Sequence, residues 1–180
     1  MGVSYQATGN NRVTGILEPF AFLIERKARG LIGPDDVLLV VASVGAQAPD
    51  YQLKPRRIAP GSWVIEGAVD DFSRANGCNI INTAFIATAA GTLVINTGPS
   101  RLYGEQQRRA IERVTREPVV RVLELNLHPD YFFGNQAWAD RPTQALQGSI
   151  SGMQAEGRAY ADNLYRLCGD WMKGTESKPS

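Results

Sequence analysis

Two adjoining stretches, VVRVLEL at Val119–Leu125 and NLHPDYFFGN at Asn126–Asn135, decide the fold class of this chain. The first begins just after Pro118 and is rich in β-branched and aliphatic residues, which predicts a buried strand. The second contains His128, the only histidine of the chain. Proteins with α/β folds place their chemistry in loops at strand ends, because the sheet fixes the backbone while loop side chains face a cleft. The junction therefore predicts a buried strand with a candidate site in the loop that follows it.

The segments around this junction predict further strands and helices. Strands are expected at Trp63–Glu66, Ile80–Thr88 and Leu93–Ile95, with the last two forming a hairpin around Ala89-Ala90-Gly91. One helix is expected over Ser100–Arg116, where Ser100 is available as the N-cap and Pro118 lies beyond the end. A second helical region is expected over Gly148–Leu167.

Two motifs in this order resemble the metallo-β-lactamase superfamily. LVINTG at Leu93–Gly98 is similar to the strand of that superfamily that ends in Asp-Thr-Gly, and the loop around His128 is similar to its His-x-His-x-Asp-His metal motif. The phrases APGSWVIEGAVDDFSRANG, NLHPDYFFGNQAW and NLYRLCGDWMKGTE look most like the quinoprotein relay system zinc metallohydrolases. The resemblance covers roughly residues 58–177. It implies an α/β (α+β) fold, the αββα sandwich of two packed sheets, of which this chain carries only the first half.

The chain departs from the metal motif at three positions. Asn126 stands at the first histidine, Tyr131 at the last, and Asn96 at the usual acidic residue after the Leu-Val-Ile strand. His128 and Asp130 keep ligand chemistry, so the resemblance implies these two as metal ligands and Asp130 as the candidate catalytic residue. A catalytic zinc site generally needs three protein ligands and an open water position. The expectation is a weak or partial zinc site, or none, and without a metal the pKa of water stays far above neutral, so no hydroxide nucleophile forms.

Two classes of function follow for the same residues. The first is a zinc-dependent metallohydrolase linked to quinoprotein systems, shortened and weak or inactive alone, acting on a small molecule that the sequence does not identify. The second is a noncatalytic binding or assembly module of the same fold, in which the triplet from His128 to Asp130 is a turn because Pro129 fixes φ. Whether the chain is an enzyme stays open at this point.

Composition fits a globular domain. The chain has 180 residues, 43% of them hydrophobic, and a net charge of +1, so neither disorder nor binding to nucleic acid is expected. Cys78 and Cys168 are its only cysteines; they form either one disulfide or two buried thiols. A half sandwich leaves one sheet face unpaired, and this face is exposed, paired with a second copy of the chain, or covered by residues 1–57.

The apolar run VLLVVASVGAQA at Val37–Ala48 divides the chain. It resembles the hydrophobic region of a secretory signal peptide followed by small residues, and it is too short for an ordinary membrane span. This predicts a leader or extension over residues 1–48, a half domain over 49–180, and a periplasmic protein. The alternative is a buried strand or short helix in a cytoplasmic protein, since Asp35 and Asp36 lie where a leader prefers positive charge.

Overall fold

A six-stranded sheet is the centre of the fold. The chain divides between Ala48 and Pro49 into two units, and the computed structural model describes residues 49–175 of the second. The strands follow one another across the sheet in chain order: β1 Arg56–Ala59, β2 Ser62–Ile65, β3 Thr83–Thr88, β4 Gly91–Ile95, β5 Val119–Glu124 and β6 Thr143–Ala145. The helices are α1 Arg101–Glu112, α2 Pro129–Phe132 and α3 Gln147–Cys168, with 3-10 turns at Phe133–Trp138 and Gly169–Met172.

The strand directions place two carboxyl ends side by side. Strands β1 to β4 pair in antiparallel fashion, whereas β4, β5 and β6 are parallel to one another. Parallel neighbours need a crossover connection, and α1 supplies it between β4 and β5. The loops that leave β4 and β5 therefore emerge at the same edge of the sheet.

One face of the sheet packs against α1. Ser100 caps this helix as predicted, because its hydroxyl oxygen accepts a hydrogen bond from Tyr103 N at 3.1 Å. The helix ends at Glu112, earlier than the predicted Arg116. Its residue Ile111 belongs to a buried cluster with Trp138 and one residue from each of three strands: Phe85, Val94 and Val122.

The opposite sheet face is apolar but only half-buried. Its residues belong to none of the core clusters formed by residues 49–175: Val64, Ala84, Ile86, Leu93, Ile95 and Leu123. Of residues 1–57, one of the predicted covers of this face, residues 1–48 lie outside the described part of the chain. Tyr51 and Leu53 pack instead with Tyr103 and Ala110 on the α1 side. Pairing with a second copy through this face stays a prediction.

A disulfide ties α3 to the middle of the chain. Cys78 and Cys168 are bonded, with their Cα atoms 5.9 Å apart, and both are fully buried. The predicted second helix is confirmed as α3, whose Met153 and Leu164 pack beside this disulfide. None of the helices within residues 49–175 is long and apolar enough to cross a membrane.

The signal-like run Val37–Ala48 and the tail after Thr175 lie outside the described residues. The described part is one mixed sheet with its helices, in agreement with the predicted α/β fold.

Candidate functional site

The loop after β4 is fixed by Asn96. This residue has a positive φ of 58°, a conformation that asparagine tolerates better than most residues. Its Oδ1 accepts a hydrogen bond from Leu125 N at 3.0 Å, and its backbone N donates to Leu123 O at 2.8 Å. Gln107 Nε2 of α1 donates to Asn96 O at 3.0 Å. The amide thus supplies the acceptor that joins the ends of β4 and β5, although the carboxylate of the motif is absent.

Backbone contacts join this loop to α2. The N–H groups of Thr97 and Gly98 both donate to Tyr131 O, at 2.8 and 3.0 Å. Gly134 N donates to Gly98 O at 3.1 Å, and a Cβ on Gly134 would lie 1.9 Å from Thr97 O. Gly134 of the FFGN motif therefore allows the two backbone segments to touch.

Substituting Gly134 by alanine tests this close approach. We expect Gly134→Ala to lower the free energy of unfolding by about 3 kcal/mol, because the facing atom is backbone and moves little. Gly148→Ala is the matched control, since a Cβ there meets nothing within 4 Å; its effect should stay within about 0.5 kcal/mol. Chemical denaturation of both variants measures the difference. Equal stabilities would contradict the contact.

The loop after β5 forms a hydrogen-bonded turn. Asn126 Oδ1 accepts from His128 N at 3.2 Å, and His128 O accepts from Tyr131 N at 3.0 Å. Pro129 begins α2, where its fixed φ suits the first helical position. The His128 side chain is exposed and makes no capping hydrogen bond. The segment from Asn126 to Tyr131 is thus a turn held by its own hydrogen bonds.

Asp130, the predicted ligand and catalytic residue, is buried. Only 3% of its surface is exposed, and its Oδ1 has no hydrogen-bond partner within residues 49–175. Burial raises the pKa of Asp130 above its usual 3.8, while a backbone hydrogen bond and the charge of His128 act in the opposite direction.

A buried carboxyl group, that of Glu124, escaped the sequence analysis. Glu124 is 3% exposed, and its Oε1 accepts from the Thr97 hydroxyl at 2.8 Å. The same hydroxyl lies 3.0 Å from Asn135 Oδ1. Glu124 Oε2 is buried without a hydrogen-bond partner in the described part of the chain. Burial raises the pKa of Glu124 well above its usual 4.5, and the hydrogen bond from Thr97 opposes this only in part.

This raised pKa predicts stability that falls with rising pH. The unfolded chain loses the Glu124 proton near its ordinary pKa, whereas the folded chain retains it, so stability decreases from there up to the folded pKa. Between about pH 5 and about pH 8 the melting temperature should fall by several degrees less in Glu124→Gln than in wild type. The pKa of Asp130 is also raised, so the melting temperature of Glu124→Gln should still fall with rising pH, but less steeply than that of wild type.

Thermal unfolding across this pH range measures the effect. Glu156→Gln, an exposed site on α3 with the same change of charge, is the control and should behave as wild type. If the melting temperature of Glu124→Gln falls with pH as steeply as that of wild type, the buried Glu124 carboxyl group is not protonated in the folded chain.

The two loops border an open cleft of about 660 Å³ at the carboxyl ends of β4 and β5. The polar side chains among its lining residues are three asparagines, one aspartate and one tyrosine, and neither His128 nor Asp130 lines it. The lining residues are Gly67, Ala68, Val69, Asp70, Ile80, Ile81, Asn82, Asn96, Leu125, Asn126 and Tyr131.

The residues present do not fit a zinc ion. Among residues 49–175 no three histidine, cysteine, aspartate or glutamate side chains come close enough together to hold a metal. The amide oxygens that stand at motif positions, those of Asn96 and Asn126, are bonded to backbone N–H groups. Zinc sites use imidazole, thiolate or carboxylate ligands, and neither carboxamide provides one.

Known structures share this fold. The metallo-β-lactamase from Erythrobacter litoralis, solved with β-mercaptoethanol in the active site, aligns at a TM-score of 0.50 and 21% identity, covering 61% of this chain and 48% of that one. The metallo-β-lactamase from Pontibacter korlensis aligns at a TM-score of 0.48 and 17% identity, covering 57% of this chain and 47% of that one. The metallo-β-lactamase from Hirschia baltica aligns at a TM-score of 0.47 and 15% identity, covering 55% of this chain and 45% of that one. The chain spans about half the length of these proteins. No protein-family profile and no curated protein matches the sequence.

At these identities the likeness defines the fold alone. The described part of the chain has the α/β fold of metallo-β-lactamases over about half of that fold, as the sequence motifs predicted. Zinc, hydrolysis and the quinoprotein relationship do not follow from it.

Proposed function

We propose that this chain is a noncatalytic, zinc-independent binding module with the metallo-β-lactamase fold. Its cleft at the carboxyl ends of β4 and β5 binds a small molecule. One observation carries this proposal: Asn96 Oδ1 and Asn126 Oδ1, at two motif positions, each accept a backbone hydrogen bond. These bonds maintain the shape of the motif loops through the chain's own backbone instead of through a metal.

The positions of the two remaining ligand residues also support the proposal. His128 is exposed, Asp130 is buried, and neither lines the cleft. An activated water needs a metal with an open coordination position beside the substrate. Among residues 49–175 the cleft has hydrogen-bonding groups for a ligand, and no group of three metal-ligating side chains lies beside them.

The second candidate is weak zinc-dependent hydrolysis of the kind found in the quinoprotein relay hydrolases. The sequence proximity of His128 and Asp130 favours it, since His128 is the N-cap of α2 and Asp130 lies in the first turn of that helix. These two groups would be the protein ligands, with Asp130 also acting on water. They supply two of the three ligands that catalytic zinc generally requires.

Zinc content separates the two candidates. We expect purified wild-type protein and His128→Ala to contain equally little zinc after equilibration with a stoichiometric amount, as measured by elemental analysis and calorimetry. Near-stoichiometric zinc in wild type that is lost in His128→Ala would overturn the proposal and justify a screen for hydrolase activity.

A periplasmic location is part of the proposal. Disulfides persist in oxidising compartments, and the bond between Cys78 and Cys168 supports export. The signal-like run Val37–Ala48 points the same way. In the periplasm the module would work beside quinoprotein dehydrogenases, the setting that the sequence resemblance implies. Fractionation of cells expressing the full chain tests this location, and recovery in the cytoplasm would contradict it.

A further inference from the structure

We infer that the cleft recognises an uncharged ligand rich in carbonyl oxygens, through the carboxamide NH2 groups of Asn82, Asn96 and Asn126. This inference rests on the proposed binding function and names the class of ligand. All three asparagines line the cleft. They come from different segments, namely the loop before β3, the loop after β4 and the loop after β5.

Each of the three amide oxygens accepts a hydrogen bond from a backbone N–H. The bonds are Gly67 N to Asn82 Oδ1 at 3.1 Å, Leu125 N to Asn96 Oδ1 at 3.0 Å, and His128 N to Asn126 Oδ1 at 3.2 Å. An inverted amide would set its NH2 group against a backbone N–H, so the orientation of each amide is fixed. Within residues 49–175 none of the three nitrogens has a hydrogen-bond partner.

Asn96 is the most firmly held of the three. Asn96 is one of the residues that line the cleft, yet it is only 4% exposed. The bonds from Leu125 N and from Gln107 Nε2 hold its oxygen and its backbone, so its NH2 group is the part that remains for a ligand. A donor that is fixed before binding loses little entropy when the ligand arrives.

Charge defines the class of ligand. Asp70 is the single charged side chain among the lining residues, so an anion gains no attraction there. Three NH2 groups provide donors without positive charge, which match neutral carbonyl oxygens. Ile80, Ile81 and Leu125 add apolar surface beside these donors. A blocked amino acid with an aliphatic side chain combines both features and fits a cleft of about 660 Å³.

N-acetyl-leucine methylamide is a suitable probe, and N-acetyl-leucine carboxylate is its charged counterpart. We expect the neutral probe to shift the side-chain NH2 resonances of the three asparagines in nitrogen-15 correlation spectra of the full chain. The anionic probe should bind more weakly. A neutral probe that moves none of these resonances, or an anion that binds better, would overturn the inference.

Asn96→Asp tests the donor without removing the acceptor. The carboxylate oxygen still accepts from Leu125 N, while the NH2 group is lost. We expect about tenfold weaker binding of the neutral probe, and the same for Asn126→Asp. Asn163→Asp is the matched control: this exposed asparagine on α3 also accepts a hydrogen bond, from Arg166, and the charge change is identical. Equal weakening in the control would overturn the inference.

The two proposals fail in different ways. Stoichiometric zinc in wild type overturns the zinc-independent binding function itself. If the protein binds no zinc and the neutral probe binds without shifting the asparagine NH2 resonances, only the assignment of the hydrogen-bond donors is overturned.

Discussion

Reduction of the Cys78–Cys168 disulfide is expected to lower the free energy of unfolding by about 4–5 kcal/mol. The bond joins residues separated by 90 positions, so it closes most of the described chain into one loop and restricts the unfolded state. It also holds α3 against the segment that precedes β3. Denaturant titrations of the full chain with and without dithiothreitol measure the difference.

The double variant Cys78→Ala/Cys168→Ala is the control for this prediction. The chain has two cysteines in all, so reductant should leave the variant unaffected, and its stability should match that of reduced wild type. Reduced and oxidised wild type of equal stability would contradict the account of the disulfide as a structural crosslink.

Replacing Asn126 and Tyr131 by histidine is expected to create zinc binding. The sequence resemblance implies histidines at both positions, both residues line the cleft, and Asn96 Oδ1 accepts a hydrogen bond from Leu125 N in the loop after β5. Asn126→His/Tyr131→His would bring the number of imidazoles in this loop to three. We expect about one zinc per chain and an affinity tighter than that of wild type by on the order of a hundredfold or more, by calorimetry.

Asn163→His/Tyr165→His is the matched control, because it makes the same two exchanges at exposed positions of α3. It should bind zinc as weakly as wild type. Adding His128→Ala to the cleft variant should remove most of the gain. A cleft variant that binds no more zinc than the control would show that the loop does not have the geometry of a metal loop.

The central strands and the longer helices could be predicted from sequence. The run from Val119 and the helical pattern near Gly148 are long and strongly patterned, and both elements appear close to the predicted bounds. Strands β1 and β6 were missed. All four residues of β1 are exposed, and β6 has three residues, so neither carries an apolar pattern.

The candidate site was only partly predictable. The sequence identified Asn96, Asn126 and Tyr131 as departures from the motif, but the directions of their side-chain atoms depend on φ at Asn96 and on the turn at His128. The cleft also needs Asn82 from a distant segment, which no local pattern signals. Glu124 was read as part of an apolar run. It lies two residues after Val122, so both side chains point to the same face of the sheet, and both are buried. This spacing was a usable signal of a buried carboxyl group.

The most direct measurement is a crystal structure of the full chain grown with zinc, with diffraction data collected at the zinc absorption edge. We expect Asn96 Oδ1 to accept a hydrogen bond from Leu125 N and Asn126 Oδ1 to accept one from His128 N. We also expect no anomalous peak in the loop after β5. An anomalous peak bound by His128 and Asp130, with either asparagine oxygen turned away from its backbone donor, would contradict the account.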